Sequence, residues 1–181
     1  MMNKNNRPGK GRAKEIKRED DYDQRVIDVA RVTRVMKGGK RMKFRVCIVI
    51  GDKKGKVGYG IAKGADVTNA ISKSVAKAKK QIISVPITDE TIPHEINMKF
   101  KAAKVILKPA KKGSGVKAGG AVRIICELAG IPNITGKILG TNNKINNVKA
   151  VFEAFSSFKK DNKKKTENKE KIKKEEKPKK K

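Results

Sequence analysis

The feature that most constrains the fold is the alternation of apolar and polar side chains over residues 41–50. A period of two residues is that of a β-strand whose successive side chains point to opposite faces of a sheet. The pattern predicts a half-buried strand with a cationic outer face near its start. The apolar positions are Met42, Phe44, Val46, Ile48 and Ile50, and the intervening positions are Arg41, Lys43, Arg45 and Cys47.

The stretch before this strand predicts a tight turn. Residues 35–44 read VMKGGKRMKF. Two glycines between strand-like segments favour a hairpin, because both central turn positions can then take a positive φ. Exposed turns usually carry Asn, Asp or Ser beside such glycines, whereas this one carries cations. The sequence therefore predicts a hairpin with Gly38 and Gly39 at its tip.

Two further patterns complete a first domain over residues 25–86. After a second turn at 51–56, apolar residues alternate with Gly58 and Gly60, and glycines on one face of a strand let another backbone approach closely. Over residues 67–83 the apolar spacing becomes i, i+3, i+4, which is typical of an amphipathic helix. These elements predict a β-β-β-α domain.

Residues 87–158 are predicted to form a second domain of α+β type with two layers. Strands are expected at 92–100, 103–107 and 134–139, and a helix at 121–128. The GTNNKINN stretch leads into a last helix with Ile145, Val148, Phe152 and Phe155 on one face. A loop rich in Gly and Lys occupies residues 108–120. The fold class is therefore α+β, with two small domains. Residues 1–24 and 159–181 are polar and rich in charge, and we expect them to be disordered extensions.

The charge of the chain indicates a polyanionic partner. The formal net charge is +29, and residues 25–158 alone contain 27 Lys or Arg against 8 Asp or Glu, which leaves +19. Nucleic acid and anionic membranes are the usual partners of such a surface. No apolar run approaches the roughly 20 residues of a spanning helix, so we expect no membrane role. Aromatic residues make up 4% of the chain, which disfavours stacking on single strands and favours phosphate and shape recognition of a folded RNA.

The sequence offers little for catalysis. His94 is the sole histidine, and no nucleophile motif accompanies it. Residues 113–120 lack the GxGxxG spacing, but a glycine-rich loop before a helix can present N–H groups to a phosphate. A kinase-like enzyme is therefore the alternative from another functional class. Cys47 and Cys126 are interpreted as buried free thiols in a reducing cytosol, and we expect no enzyme activity, no metal and no cofactor.

Several collinear blocks resemble the bacterial ribosomal protein S-five family. They read, in order, RVTRVMKGGKRMKF, GDKKGKVGYGIAKGADV, TIPHEI, VILKPAKKGSGVKAGGAVRIICELAGI and GTNNKINNVKA. They extend over about residues 25–158, which is the whole predicted folded part. The resemblance implies that the first domain is similar to a double-stranded-RNA-binding domain with a lost or reduced first helix. It also implies that the second has the α+β fold typical of this family.

The resemblance implies a structural role in the small ribosomal subunit, in the cytoplasm. The expected partners are small-subunit ribosomal RNA and the ribosomal proteins S-four and S-eight, with messenger RNA passing nearby at its entry path. The expected effect is to hold the head relative to the body and to support translational accuracy. A non-ribosomal protein that binds double-stranded RNA is the alternative among binding proteins.

The candidate site residues fall into two groups. Residues 31–41 match the family's hairpin that points into RNA, and residues 113–123 match its region facing protein S-four; the other cations are candidates from their charge. The predicted RNA-binding residues are Arg31, Thr33, Arg34, Lys37, Gly38, Gly39, Lys40, Arg41, Lys43, Arg45, Lys53, Lys54, Lys56, Lys111, Lys112, Lys117 and Lys144. The predicted protein-interface residues are Gly113, Gly115 and Arg123.

Overall fold

The computed structural model describes residues 22–158, which form two four-stranded sheets and three helices. The predicted α+β class is confirmed. In chain order the elements are β1 Asp23–Met36, β2 Gly39–Gly51, β3 Lys56–Gly64, α1 Val67–Lys80, β4 Ile82–Ser84, β5 Ile96–Phe100, β6 Ala103–Pro109, β7 Val116–Lys117, α2 Gly120–Ala129, β8 Ile134–Leu139 and α3 Lys144–Ser157.

The first sheet has the order β1-β2-β3-β4, with every neighbouring pair antiparallel. Helix α1 packs on one face, where Ala70 and Ala78 are buried together with the side chains at positions 46, 48 and 50 of β2. The helix ends at Lys80, before the predicted end at 83. The residues that follow form the short strand β4, in which Ile83 pairs with Val57, so sheet pairing replaces the last helical turn.

The glycines of β3 have the role that the sequence predicts. Gly58 and Gly60 lie on the face under α1, and a Cβ atom built on Gly58 would be 2.5 Å from the carbonyl oxygen of Ala78. A Cβ atom on Gly60 would collide with the carbonyl of Ser74. The helix therefore sits against strand backbone rather than against side chains, and any larger residue at these positions would push it away.

The inner part of β2 is buried on both faces, so the prediction of a half-buried strand is wrong there. Cys47 and Val49 point away from α1, yet they are 1% and 0% exposed. They belong to a core cluster that also contains buried residues of α2 and α3. The alternation identified the face under α1, but it could not show that the second half of the chain covers the other face.

The second sheet has the order β5-β6-β8-β7. Its first strand begins at Ile96 rather than at 92, although Ile92 is buried in the core. The predicted loop at 108–120 contains β7, a two-residue strand that pairs parallel to β8. The connection from β7 to β8 runs through α2, which places that helix between the second sheet and the inner part of β2.

One hydrophobic core joins the two predicted domains. The cluster contains Ile27 and Val57 of the first sheet and Phe155 of α3. The loop between β2 and β3 adds hydrogen bonds, because the N–H groups of Lys53 and Gly55 donate to the last carbonyls of α2, at 3.0 and 2.9 Å. β1 begins two residues before the predicted boundary at 25. Apart from 22–24, the predicted extensions 1–24 and 159–181 lie outside the described residues.

Candidate nucleic-acid interface

The β1–β2 hairpin extends past the covered part of the sheet and ends in a two-residue turn. Met36 pairs with Gly39, so the turn residues are Lys37 and Gly38. The predicted glycine pair at the tip is therefore wrong by one position. Gly39 opens β2 with a φ of 153°, and the tip carries one lysine side chain.

The register of the hairpin collects its cations on one face. Arg34 lies opposite Arg41, and Lys43 lies opposite Val32. Cross-strand partners in an antiparallel pair share a face, and so do residues two positions apart. We call this surface the basic face; its cations are Arg34, Arg41, Lys43, Arg45 and Lys63. A groove of about 300 Å³ runs over it, lined by Arg34, Arg41, Lys43 and Lys63 together with Val32 and Met36.

The outer cations of the basic face are not neutralised by the protein. Within the described residues, Arg34, Arg41 and Lys43 form no ion pair, and neither do Lys37 and Lys40 near the tip. Like charges directly opposite each other destabilise a strand pair. The repulsion between Arg34 and Arg41 is therefore not compensated by an acidic residue in the part of the chain that the structure describes, and a phosphate bound between them would reduce it.

The other face of the hairpin is different in kind. Thr33 pairs with Met42 and Val35 with Lys40, so these four residues share that face, and Arg31 follows two positions along. Val35 is 74% exposed and Met42 is 52% exposed. The predicted hairpin residues are thus divided between a cationic face and a mixed, partly apolar face.

The predicted cations at the base of the hairpin are paired. Asp28 lies next to Arg45, with Oδ2 3.8 Å from Nη2, and next to Lys144 at the start of α3, with Oδ1 3.3 Å from Nζ. The structure therefore brings Lys144 to the hairpin, although 99 residues separate it from Arg45 in the chain. These two cations share one acidic neighbour, unlike those nearer the tip.

The predicted cations Lys53, Lys54 and Lys56 lie at the opposite end of β2 from the tip. Because β2 has 13 residues, its two ends are roughly 40 Å apart. The N–H groups of Lys53 and Gly55 donate to carbonyls of α2 and are not free for RNA. The Lys53 side chain donates a hydrogen bond to Asp23, which lowers the pKa of that carboxyl. These three lysines and the hairpin therefore do not form one continuous patch.

Two N–H groups of the glycine-rich loop donate within the protein. Gly113 and Gly115 have φ values of 80° and 71°, which explains the glycines at these positions. The N–H of Ser114 donates to the carbonyl of Lys111, and the N–H of Gly115 donates to Oδ1 of the buried Asn133. These two donors are therefore not free to bind a phosphate. Three exposed lysines remain around the loop: Lys111, Lys112 and Lys117.

Arg123 lies on the exposed side of α2. Its Nε donates to Oε1 of Glu127 at 3.0 Å, and Arg25 of β1 contacts the other carboxylate oxygen at 3.2 Å. The Arg123 side chain is 60% exposed. Of the three predicted protein-interface residues, Gly113 and Arg123 are thus exposed and Gly115 is half-buried.

The two cysteines and the histidine occupy structural positions. Both thiols are free and buried, as the sequence predicts. Burial raises the pKa of Cys47 to about 11, with a further contribution from Asp28, and raises the pKa of Cys126 to about 12. The ring of His94 packs edge-on against Phe158 at 5.3 Å. No helix in residues 22–158 has the length and hydropathy of a membrane span.

Comparison with known sequences identifies the family. The family profile described as ribosomal protein S5, N-terminal domain, matches residues 22–86, and the one described as ribosomal protein S5, C-terminal domain, matches residues 98–167. The chain belongs to the ribosomal protein S5 family. This is a family of structural proteins rather than enzymes, so the kinase-like alternative is set aside.

Three relatives show how far the similarity extends. The chain is 50% identical over 143 residues to the small ribosomal subunit protein uS5c of Rhodomonas salina, which covers 78% of this chain and 85% of that protein. The corresponding proteins of Emiliania huxleyi and Porphyra purpurea are 49% and 46% identical. Those matches cover 77% and 85% of this chain, and 88% of each relative.

Sequence reasoning missed Lys63 of the basic face. Lys63 pairs with Arg45 across β2 and β3 and lines the groove beside Arg41 and Lys43. The signal was present in the alternation of β3, because Lys63 continues the series Val57, Tyr59 and Ile61. Reading it would have required the register between β2 and β3, which the loop at 51–56 leaves undetermined.

Proposed function

We propose that this protein is a structural constituent of the small ribosomal subunit and binds small-subunit ribosomal RNA with its β1–β2 hairpin. The family membership and the names of the relatives support the ribosomal role. The observation that carries the RNA-binding role is the row of unpaired cations on the basic face, including the directly opposed Arg34 and Arg41.

The mechanism is electrostatic and geometric. The outer hairpin projects from the shared core, so both of its faces are accessible to RNA. Phosphates contact the basic face and relieve the repulsion between Arg34 and Arg41, while ribose or base edges meet Val35 and Met42 on the other side. Contacts of this kind fix position and orientation rather than read sequence. Because the inner part of β2 is buried on both faces, movement of bound RNA is transmitted to the whole protein.

We extend the proposal to the position of the protein within the subunit and to its neighbours there. A rigid body joining an RNA-binding hairpin to a second surface can hold the head of the subunit relative to its body and so support translational accuracy. The segment at 113–123, in which Gly113 and Arg123 are exposed, is the proposed contact with ribosomal protein S-four. Ribosomal protein S-eight and messenger RNA at the entry path are the other proposed neighbours. The predicted cations Lys53, Lys54, Lys56, Lys111, Lys112 and Lys117 remain candidates for further RNA contacts.

Sedimentation of the tagged chain from a cell lysate tests the proposal, first at low salt and then after a high-salt wash. Retention with the small subunit through the wash is expected. Lys40→Glu and Arg41→Glu should lower that retention, whereas Lys137→Glu, which changes an exposed lysine of β8, should not. Release into free RNA at modest salt would favour a non-ribosomal double-stranded-RNA-binding protein instead, because nonspecific phosphate binding falls steeply with salt.

A further inference from the structure

We infer that Asp28 sets the inner limit of the RNA-binding surface: it keeps Arg45 and Lys144 from contacting phosphate, so that RNA contacts the basic face at Lys63 and at the cations between Arg45 and the tip. The inference rests on the proposed function, because it concerns the same face of the same hairpin. It assigns a positioning role to an acidic residue in a surface whose other charges are positive.

The position of Asp28 is set by an irregularity in β1. The register with β2 shifts between Val26 and Asp28, where Val26 pairs with Ile48 and Asp28 pairs with Cys47. Bulges of this kind re-aim a side chain. The carboxylate reaches Arg45 in β2 and Lys144 in α3, at 3.8 and 3.3 Å. One acid therefore contacts a cation from each half of the protein.

Asp28 also stands at the boundary between two environments. Toward the tip lie the unpaired cations Arg34, Arg41 and Lys43. Inward lies Cys47, which is buried in the shared core. On the described part of this face from Asp28 outward, Asp28 is the sole acidic residue. A phosphate that approached Lys144 would come close to the carboxylate, and repulsion between two anions would oppose that contact.

The residues around Asp28 have polar atoms without hydrogen-bond partners. The Nε of Arg45 is buried without a hydrogen-bond partner, as is the Oδ1 of Asn147, one turn after Lys144. The 3.8 Å separation between Arg45 and Asp28 is longer than a hydrogen bond. The guanidinium is therefore held by charge rather than by a satisfied pair. Removal of the carboxylate would leave both Arg45 and Lys144 able to bind a phosphate.

Salt titration of RNA binding by the full-length chain tests the inference. The affinity for deproteinised small-subunit ribosomal RNA is measured at several KCl concentrations for wild type and variants. Each phosphate contact contributes about 0.7 to 0.9 to the log–log slope. We expect Arg41→Gln to lower the slope by about that amount, while Arg45→Gln and Lys144→Gln each change it by less than about half as much.

Asp28→Asn should make the slope steeper by about 0.7 to 1.8, because one or two cations become free to contact phosphate. Asp28→Glu, which keeps the charge, should retain the wild-type slope. The matched control is Glu95→Gln, which removes the same charge from an exposed pair with Lys108 at 3.1 Å in the second sheet. When Asp28→Asn is also present, Arg45→Gln and Lys144→Gln should each lower the slope by as much as Arg41→Gln does.

The outcomes separate the inference from the function on which it rests. If Arg41→Gln lowers the slope but Asp28→Asn leaves it unchanged, Asp28 has no limiting role and the proposed function stands. A loss of slope with Arg45→Gln or Lys144→Gln in the wild-type background, equal to that of Arg41→Gln, overturns the inference even if Asp28→Asn does not fold. If Arg41→Gln itself has no effect, the RNA-binding function of the hairpin fails.

Discussion

The outer and inner parts of the hairpin are continuous strands with opposite properties. From Lys43 to the tip, β2 is exposed on both faces, its cations form no ion pair with the described residues, and Met42 is open to solvent. From residue 46 inward the same strand is buried on both faces, between α1 on one side and α2 and α3 on the other. One strand thus serves as a binding arm at one end and as the centre of the core at the other.

The difference shows that one stretch of β2 stabilises the fold and another is available for binding. Burial stabilises the inner part, where each change removes packing that both halves of the chain share. The outer part contributes little to folding, and its opposed arginines cost some stability. Substitutions in the two parts should therefore affect different measurements, and the following predictions compare matched changes in each.

The largest effect is expected from adding one methyl group to Gly60 of β3, which pairs with Ile48 in the inner part of β2. Gly60→Ala would place a Cβ against the Ser74 carbonyl of α1, and displacement of the helix should cost about 3 kcal/mol of unfolding free energy or prevent folding. Gly38→Ala is the matched change in the outer part, where nothing lies within 4 Å of the added atom. It should change stability by less than about 0.5 kcal/mol in denaturant unfolding. Equal losses would contradict the division.

Thiol labelling provides a second comparison. Because the pKa of Cys47 is raised to about 11 from 9.0, its thiolate should be about a hundredfold scarcer at pH 8 than in an exposed cysteine. Labelling of the native protein should be slow at pH 8 and become faster as pH rises toward 11. A thiol introduced into the outer part by Thr33→Cys should react at the rate of an ordinary exposed cysteine. Rapid native labelling of Cys47 would mean that the inner face is open.

Removal of valine methyl groups should give a smaller difference in unfolding free energy between the inner and outer parts. Val49→Ala removes packing from a side chain that is 0% exposed, and we expect a loss of about 1.5 to 3 kcal/mol in unfolding free energy. Val35→Ala, at the 74% exposed position near the tip, should be within about 0.5 kcal/mol of wild type. If Val35→Ala were the more destabilising change, the outer hairpin would have to be packed against another part of the chain.

The smallest effect on stability is expected from the substitution of a cation on the basic face. Arg41→Gln should leave unfolding unchanged or raise stability by a few tenths of a kcal/mol, because it removes the charge opposite Arg34. Affinity for small-subunit ribosomal RNA should nevertheless decrease, most strongly at low salt. Lys137→Gln, on the exposed side of β8, serves as the control and should alter neither measurement. A drop in stability without a change in affinity would assign Arg41 to the fold.

Sequence patterns predicted the element types well, because the periodicities of β2, β3 and α1 are local and strong. They also predicted that another backbone can approach the glycine face of β3 closely, and the structure shows that this backbone is α1. They failed where the answer depended on long-range contacts. The coverage of the second face of β2 at Val49, the pairing of Lys144 with Asp28 and the place of Lys63 on the basic face all require distant segments to meet. The turn at residues 37 and 38 depends on a one-residue choice of register, which two adjacent glycines leave undetermined.

The most direct test of the account is lysine footprinting of the protein within assembled small subunits. Acetylation rates are compared between the free protein and the subunit, with mass spectrometry to assign each site. We predict strong protection at Lys37, Lys40, Lys43 and Lys63, and weaker protection at Lys144, which is paired with Asp28. Labelling of the first four lysines at the rate of the free protein would contradict the central claim that the exposed hairpin, with its basic face, is the RNA-binding part of this molecule.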